Sequence, residues 1–261
     1  VGFDHIDLEE ATKRGIYVTN TPGVLTEAVA DFTWALILAA ARRVVEADKH
    51  IREGKWKVGW APKYFLGQAV HGKTLGIIGL GRIGKAVAER AKGFKMKVIY
   101  YDVKRPPKEV EEKLGVKYVE LEELLKTADI ISLHVPLLPS TRHLIGEKEL
   151  KLMKKTAILV NTARGPVVDE KALYKALSEG WIYAAALDVF EKEPINMDNP
   201  LLKLDNVVLA PHIASATIEA RSKMAEIAAQ NLLDVLKGKM PKYLVNPEVV
   251  KVRPLEKVKM L

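Results

Sequence analysis

The chain has 261 residues, with 48% hydrophobic and 28% charged residues, a composition ordinary for a globular protein. It contains no cysteine, which excludes disulfides, thiol catalysis and cysteine-based metal sites. The net charge of +8 comes from lysines spread along the whole chain among glutamates, which argues against nucleic acid as a partner.

Membrane partners are disfavoured as well. The longest apolar stretch, Phe32 to Ala41, is well short of the roughly 20 residues of a membrane span. No basic, apolar leader opens the sequence, so we expect a cytoplasmic protein. Many lysines and glutamates, few glutamines and no cysteine together favour a heat-adapted, thermophilic protein.

The first 22 residues combine a predicted helix, DLEEATKRG, with a predicted strand, IYVTN. A long helix is then predicted from Thr26, its N-cap, to a point before Gly54. Its centre, FTWALILAAA, is apolar on nearly every face, which predicts burial either within the fold or against a second subunit. A subunit contact is favoured, and the other reading stays open.

Short apolar strands alternate with helices between residues 74 and 212. The predicted strands are Thr74–Gly79, Lys97–Asp102, Asp129–Pro136, Ala157–Asn161, Ala184–Val189 and Val207–Ala210. Helical spacing is found at Gly84–Lys92, Leu121–Thr127, Glu170–Glu179 and, near the end, Ala220–Leu236. Continuous aliphatic strands are typical of parallel sheets covered on both faces, so the class is α/β with a doubly wound sheet.

A glycine motif follows the first of these strands, and a helix follows the motif. Its residues are Gly79, Leu80, Gly81, Arg82, Ile83 and Gly84. This G-x-G-x-x-G pattern in a strand–helix context predicts a dinucleotide site, whereas the alternative is a merely structural turn. Asp102 ends the next strand, where an acidic residue binds the adenosine ribose and disfavours NADP. Lys104 and Arg105 follow, so NADP stays open.

Polar side chains follow three later strands, whose carboxyl ends meet at one edge of a parallel sheet. They are Arg164, Asp188, Glu191, Glu193, His212 and Ser215. Arginine binds carboxylates, histidine exchanges protons near neutral pH, and a glutamate can hold such a histidine protonated. The alternatives are a loop ion pair, a structural histidine and a turn glutamate. The remaining histidines lack metal-ligand spacing, so no metal is predicted.

Several segments, taken in order, resemble the D-isomer-specific 2-hydroxyacid dehydrogenases. These are GKTLGIIGLGRIGKAVAERAKGF, ILVNTARGPVVDEKAL, AAALDVFEKEP and NVVLAPHIASAT. Two others, NTPGVLTEAVADFTWALILAAARR and WKVGWAPKYFLG, are closer to glyoxylate/hydroxypyruvate reductases. The resemblance implies a Rossmann NAD-binding domain at residues 23–214, inserted in a smaller flavodoxin-like substrate domain at 1–22 and 215–261. Family members carry further elements before Val1, so the expected substrate domain is N-terminally truncated.

The resemblance also implies roles for single residues. Arg164 would bind the substrate carboxylate, His212 would be the proton donor, and Glu193 would orient His212. NADH would reduce glyoxylate or hydroxypyruvate, and the protein would be a homodimer built around the long helix. Substrate contacts are implied at Val1 and Gly2, and further cofactor contacts at Leu80, Arg82, Ile83, Pro136, Thr162, Ala163 and Asp188. The alternative function is a catalytically silent NAD-binding module for interaction or sensing.

Overall fold

The computed structural model describes residues 1–258 and 260. The chain forms two compact units, Val1–Ala28 with Ser215–Leu261 and Val29–Ala214. These breaks fall after residues 28 and 214, while the sequence placed the domain limits after residues 22 and 214. The substrate and cofactor roles given to the two parts remain predictions.

The larger unit is built on one seven-stranded parallel sheet with the order β3-β2-β1-β4-β5-β6-β7. The order reverses direction between β1 and β4, which makes the sheet doubly wound, as predicted. The strands are β1 (Thr74–Ile78), β2 (Lys97–Tyr101), β3 (Val116–Tyr118), β4 (Ile130–Leu133), β5 (Ile158–Asn161), β6 (Ala184–Leu187) and β7 (Val207–Leu209).

Five of the six predicted strands run up to three residues too far at their carboxyl ends. The ladder stops earlier there because the chain turns away to form the loops of the candidate site. Strand β3 was missed, since three residues carry too little periodicity to be recognised.

Helices cover both faces of this sheet. Alternate strand residues point to opposite sides, so Ile131 and Leu159 belong to one core cluster while Ile130 and Ile158 belong to the other. The helices of the larger unit are α2 (Thr26–Arg42), α3 (Val44–Arg52), α4 (Arg82–Ala91), α5 (Lys108–Leu114), α6 (Leu121–Thr127), α7 (Glu147–Leu152) and α8 (Glu170–Ser178). Residues 26–28 of helix α2 are assigned to the smaller unit and the rest of the helix to the larger one.

The prediction of one long helix up to Gly54 was wrong, because the chain breaks at Arg43. This residue has a left-handed backbone (φ 57°), and its guanidinium bonds Glu46 and lies 4.7 Å from the Phe65 ring centre. The apolar face of α2 is covered within the unit; for example, Trp34 donates to the carbonyl of Val87 and stacks on Phe94. Intradomain burial therefore accounts for most of its apolar character.

The smaller unit contains α1 (Leu8–Lys13), α9 (Ile218–Leu236), α10 (Val249–Val252) and α11 (Leu255–Val258). The predicted strand IYVTN was wrong, since the segment forms only an isolated bridge between Thr19 and Leu244. The buried Asn246 fixes this region instead: it accepts from the backbone of Val18 and donates to the carbonyl of Ile16. In the described part of the chain, no helix is both long and apolar enough to span a membrane.

Candidate active site

The glycine loop after β1 is shaped by three positions with different requirements. Gly79 has φ +94°, and a Cβ there would lie 2.5 Å from the carbonyl oxygen of His134. A Cβ on Gly84 would lie 2.1 Å from the carbonyl oxygen of Gly79, so this glycine lets α4 pack on the loop. Around Gly81 the space is open, with no atom within 4 Å of a Cβ built there.

This loop fits the diphosphate of a dinucleotide. Gly81 is the N-cap of the ten-residue helix α4, so the open backbone lies where the helix presents its first N–H groups. The first turn of α4 contains no acidic residue that would repel an anion. Leu80 is buried, whereas Gly81 and Arg82 are exposed and Ile83 is half-buried, so the accessible part of the motif is its centre.

Asp102 connects the loop to the end of β2. Its carboxylate accepts from the backbone N–H of Leu80 at 2.7 Å and from that of Lys104 at 3.1 Å. These bonds place the acidic group beside β1, at the reversal point of the sheet where dinucleotides bind in this fold. The position agrees with a ribose contact, which remains a prediction.

Arg164 and His212 occupy equivalent positions beyond the sheet. Asn161, Leu187 and Leu209 share one register row across β5, β6 and β7. Arg164 and His212 each lie three residues after that row. Strands two apart are separated by about 10 Å. Both side chains therefore start from the same edge of the sheet, with the loop after β6 between them.

His212 is paired with Glu193, which comes from that intervening loop. Its Nδ1 lies 2.6 Å from Glu193 Oε2, and the other carboxylate oxygen accepts from the backbone N–H of Phe190 at 3.0 Å. The His212 side chain remains 49% exposed. With Nδ1 donating to the carboxylate, Nε2 is the ring nitrogen available to a substrate.

Asp188 holds the turn that carries His212. This residue is fully buried, and its carboxylate accepts from the N–H groups of Ile213 at 2.8 Å and Ala214 at 2.9 Å. Its carbonyl accepts from the N–H of His212, whose φ is +56°. Burial raises the pKa of Asp188, while the two N–H bonds act in the opposite direction. Its cofactor contact stays a prediction.

The turn that carries Arg164 is organised by a residue that sequence reasoning missed. The buried Asn161 accepts from the N–H of Ala163 at 3.0 Å and donates to the carbonyl of Arg164 at 2.8 Å. An asparagine at the end of a buried strand is a turn signal and could have been recognised. Thr162 is nearly buried, and its hydroxyl lies 3.0 Å from that of Thr33 on α2.

The segment 190–194, which we call the strap, packs directly against this turn. A Cβ on Gly165 would lie 1.9 Å from the carbonyl carbon and oxygen of Phe190, so only glycine allows the contact. Glu191 also accepts from His143 Nε2 at 2.8 Å and from the N–H of Glu170 at 3.2 Å. The strap therefore places Glu193 relative to both catalytic candidates.

Three further predicted site residues are Pro136, Val1 and Gly2. Pro136 follows β4, is exposed, and its carbonyl accepts from the Thr141 hydroxyl at 2.6 Å. Val1 and Gly2 belong to the smaller unit, where the Val1 carbonyl accepts from the Asn20 side chain at 3.0 Å. Among the described residues, no group of three or more His, Cys, Asp or Glu side chains is arranged to hold a metal ion.

A doubly wound parallel sheet with a glycine loop after its first strand is the architecture of a dinucleotide-binding domain. The family model "D-isomer specific 2-hydroxyacid dehydrogenase, NAD binding domain" matches residues 34–214. The chain belongs to this family of oxidoreductases, as the sequence motifs predicted.

Several named proteins within this family are similar to the chain. A glyoxylate reductase of Korarchaeum cryptofilum is 66% identical over 97% of this chain and 76% of that protein. The crystal structure of a glyoxylate reductase from Paecilomyes thermophila is 41% identical with a TM-score of 0.84, covering 95% of this chain and 73% of that one. An NADPH-dependent glyoxylate/hydroxypyruvate reductase of Sinorhizobium meliloti, solved with NADP and malonate, is 37% identical with a TM-score of 0.85, over 95% and 76%.

Proposed function

We propose that this chain reduces a small 2-oxo acid, glyoxylate or hydroxypyruvate, to the corresponding 2-hydroxy acid with NADH. The observation that carries the proposal is the His212–Glu193 pair at the sheet edge, with Arg164 on the other side of the strap. A binding module would not need this combination of proton donor, orienting carboxylate and anion receptor. The names of the relatives support the choice of substrate.

Each residue has a defined task in this proposal. Arg164 binds the substrate carboxylate through its planar fork of N–H donors and so orients the 2-oxo group. The reduced nicotinamide, when bound, supplies the hydride. His212 donates the Nε2 proton to the oxygen that becomes the hydroxyl, while Glu193 accepts from Nδ1 and stabilises the protonated ring.

The cofactor preference is part of the proposal. The Asp102 carboxylate beside β1 would accept the ribose hydroxyls of NADH and repel the extra phosphate of NADPH. Residues Gly79 to Gly84 would hold the diphosphate, as their open centre allows. Use of NADP remains an alternative because Lys104 is exposed nearby.

We also propose a homodimer and a cytoplasmic location. The loop after α3 exposes several large apolar side chains, namely Trp56, Val58, Trp60 and Leu66. Beside α2 and α3, a groove of about 580 Å³ runs to the free edge of β7. Exposed apolar surface of this kind is typical of subunit contacts. A cytoplasmic location agrees with the composition.

The test is NADH oxidation by the whole chain with three carbonyl substrates. We expect turnover with glyoxylate and hydroxypyruvate and none with acetaldehyde, which has no carboxylate for Arg164. Arg164→Gln should raise KM for glyoxylate and lower kcat, with NADH affinity unchanged. Equal turnover of acetaldehyde and glyoxylate, or an Arg164→Gln enzyme with normal constants, would contradict the proposal.

A further inference from the structure

We propose that Glu111 is a specificity-determining residue that holds Arg105 away from the adenosine 2′ position and thereby favours NADH over NADPH. The inference rests on the proposed use of NADH. Two residues would then discriminate between NADH and NADPH. Asp102 repels the 2′-phosphate of NADPH, and Glu111 keeps Arg105 from binding that phosphate.

Arg105 is engaged on two sides. Its Nη2 donates to both carboxylate oxygens of Glu111, at 2.9 and 3.2 Å, and its Nε donates to one of them at 3.2 Å. The guanidinium carbon also lies 4.5 Å from the centre of the Tyr118 ring. An arginine placed just after β2 is the type of residue that binds a 2′-phosphate in this fold, but these contacts already use the Nε–Nη2 edge of its guanidinium.

Glu111 is itself well anchored. It lies on α5, its side chain is only 13% exposed, and it accepts from the hydroxyl of the fully buried Tyr100. The bonds from Tyr100 and Arg105 lower the pKa of Glu111, so the carboxylate is ionised at neutral pH. The ion pair therefore persists under the conditions in which the enzyme would work.

The sheet order places the two groups on opposite sides of β2. Asp102 bonds Leu80, which follows β1, whereas Arg105 lies over Tyr118, which ends β3. Strands β1 and β3 flank β2, and the glycine loop is on the β1 side. Arg105 is the third residue after Asp102, so an arginine released from Glu111 can reach a phosphate beside Asp102 and offer it a positive charge.

The experiment compares both cofactors in Glu111→Gln, which removes the charge but keeps an acceptor for the Tyr100 hydroxyl. We expect kcat/KM for NADPH to rise about tenfold, the gain of one charge-assisted phosphate contact, with NADH changed less than twofold. Glu112→Gln is the matched control, since Glu112 lies next to Glu111 on α5 but faces Lys108 at 3.7 Å. It should leave the cofactor ratio as in the wild type.

Arg105→Ala in the Glu111→Gln background tests whether Arg105 causes this change. The gain in kcat/KM for NADPH should disappear in the double variant. Tyr118→Leu removes the ring over which the guanidinium lies but leaves the bonds to Glu111, so the gain in kcat/KM for NADPH should be smaller, about two- to threefold. An unchanged cofactor ratio in a folded Glu111→Gln protein, or a gain that persists without Arg105, would overturn the inference. Fluorescence titration of NADH and NADPH gives the ratio without turnover, so loss of glyoxylate reduction would count against the proposed function alone.

Discussion

His212 has a left-handed backbone that non-glycine residues seldom adopt, and Asp188 accounts for it. Three bonds from Asp188 to residues 212–214 compensate the conformational cost. The His212 ring on this turn contacts the Glu193 carboxylate. The strained backbone of His212 therefore positions its side chain, and the buried Asp188 stabilises that conformation.

The Glu193 carboxylate should set the rate of catalysis by holding the His212 ring. Glu193→Gln removes the charged acceptor of the Nδ1 bond, so kcat with glyoxylate should drop about 100-fold while NADH affinity stays unchanged. Steady-state kinetics with glyoxylate and fluorescence titration of NADH measure the two quantities. Glu226→Gln is the control, because Glu226 faces Lys223 on α9. A normal kcat in Glu193→Gln would contradict this role.

His134 should make the fold sensitive to acid. Burial lowers its pKa from 6.5 to about 3, and its ring bonds the Ser132 hydroxyl at 2.7 Å. Between these values the unfolded chain binds a proton that the folded chain does not. Stability should therefore fall as pH drops from about 6.5 to 3, by up to about 1.4 kcal/mol per pH unit.

Urea unfolding at pH 7 and pH 4.5 tests this expectation. His134→Gln should lose clearly less stability between the two pH values than the wild type. His71→Gln, which alters an exposed histidine, should behave like the wild type. The opposite shift at Asp188, whose raised pKa favours the folded state in acid, is common to all three proteins. Equal losses in all three would exclude His134 as the cause.

The residues proposed to act on a substrate were easier to predict from sequence than those that position them. Glu193 and His212 were predicted, and their pairing is observed, because polar groups after strands of a parallel sheet converge at its edge. The roles of Asn161 and Asp188 were not predicted. Their partners are backbone groups, which every residue carries; the place of Asn161 at the end of a strand was a turn signal, whereas no sequence pattern indicated the role of Asp188.

At the scale of elements, the strap joins the Arg164 turn to Glu193 through a contact that needs a glycine. Gly165→Ala should push Phe190 away and lower kcat at least about tenfold, at a cost in stability of roughly 1–3 kcal/mol. NADH affinity should stay within about twofold, since the glycine loop is not in this contact. Gly93→Ala is the matched control, because a Cβ there meets no atom within 4 Å. Unaltered kcat in Gly165→Ala would show that the strap position is unimportant.

Helix and strand types were predictable where periodicity extends over several turns or where aliphatic runs are continuous. Helix α6 was predicted with its observed bounds. The break at Arg43 was not predictable, because its left-handed backbone depends on contacts with Glu46 and Phe65, the second of which is 22 residues further along the chain.

For the whole molecule, the proposed dimer has a direct test. Light scattering should give twice the chain mass of 29.0 kDa. Trp60, which is 89% exposed, is the most accessible aromatic side chain of the loop after α3, and Trp60→Lys should shift the mass towards the monomer. Met197→Lys, at another strongly exposed apolar residue, should leave the mass unchanged. A wild-type monomer would contradict the dimer.

Heat adaptation remains a prediction from composition. Helices carry many i,i+4 ion pairs, such as Lys13 with Glu9 and Lys126 with Glu122. Exposed pairs of this kind contribute only a few tenths of a kcal/mol each at 25 °C and gain importance at high temperature.

The most direct measurement adds NADH and then glyoxylate to the wild-type chain and to His212→Gln while NADH fluorescence is followed. We expect both proteins to bind NADH with similar affinity, followed by steady loss of NADH only in the wild type. Turnover by His212→Gln at the wild-type rate would refute His212 as the proton donor. Binding without any NADH loss in the wild type would contradict the reductase itself.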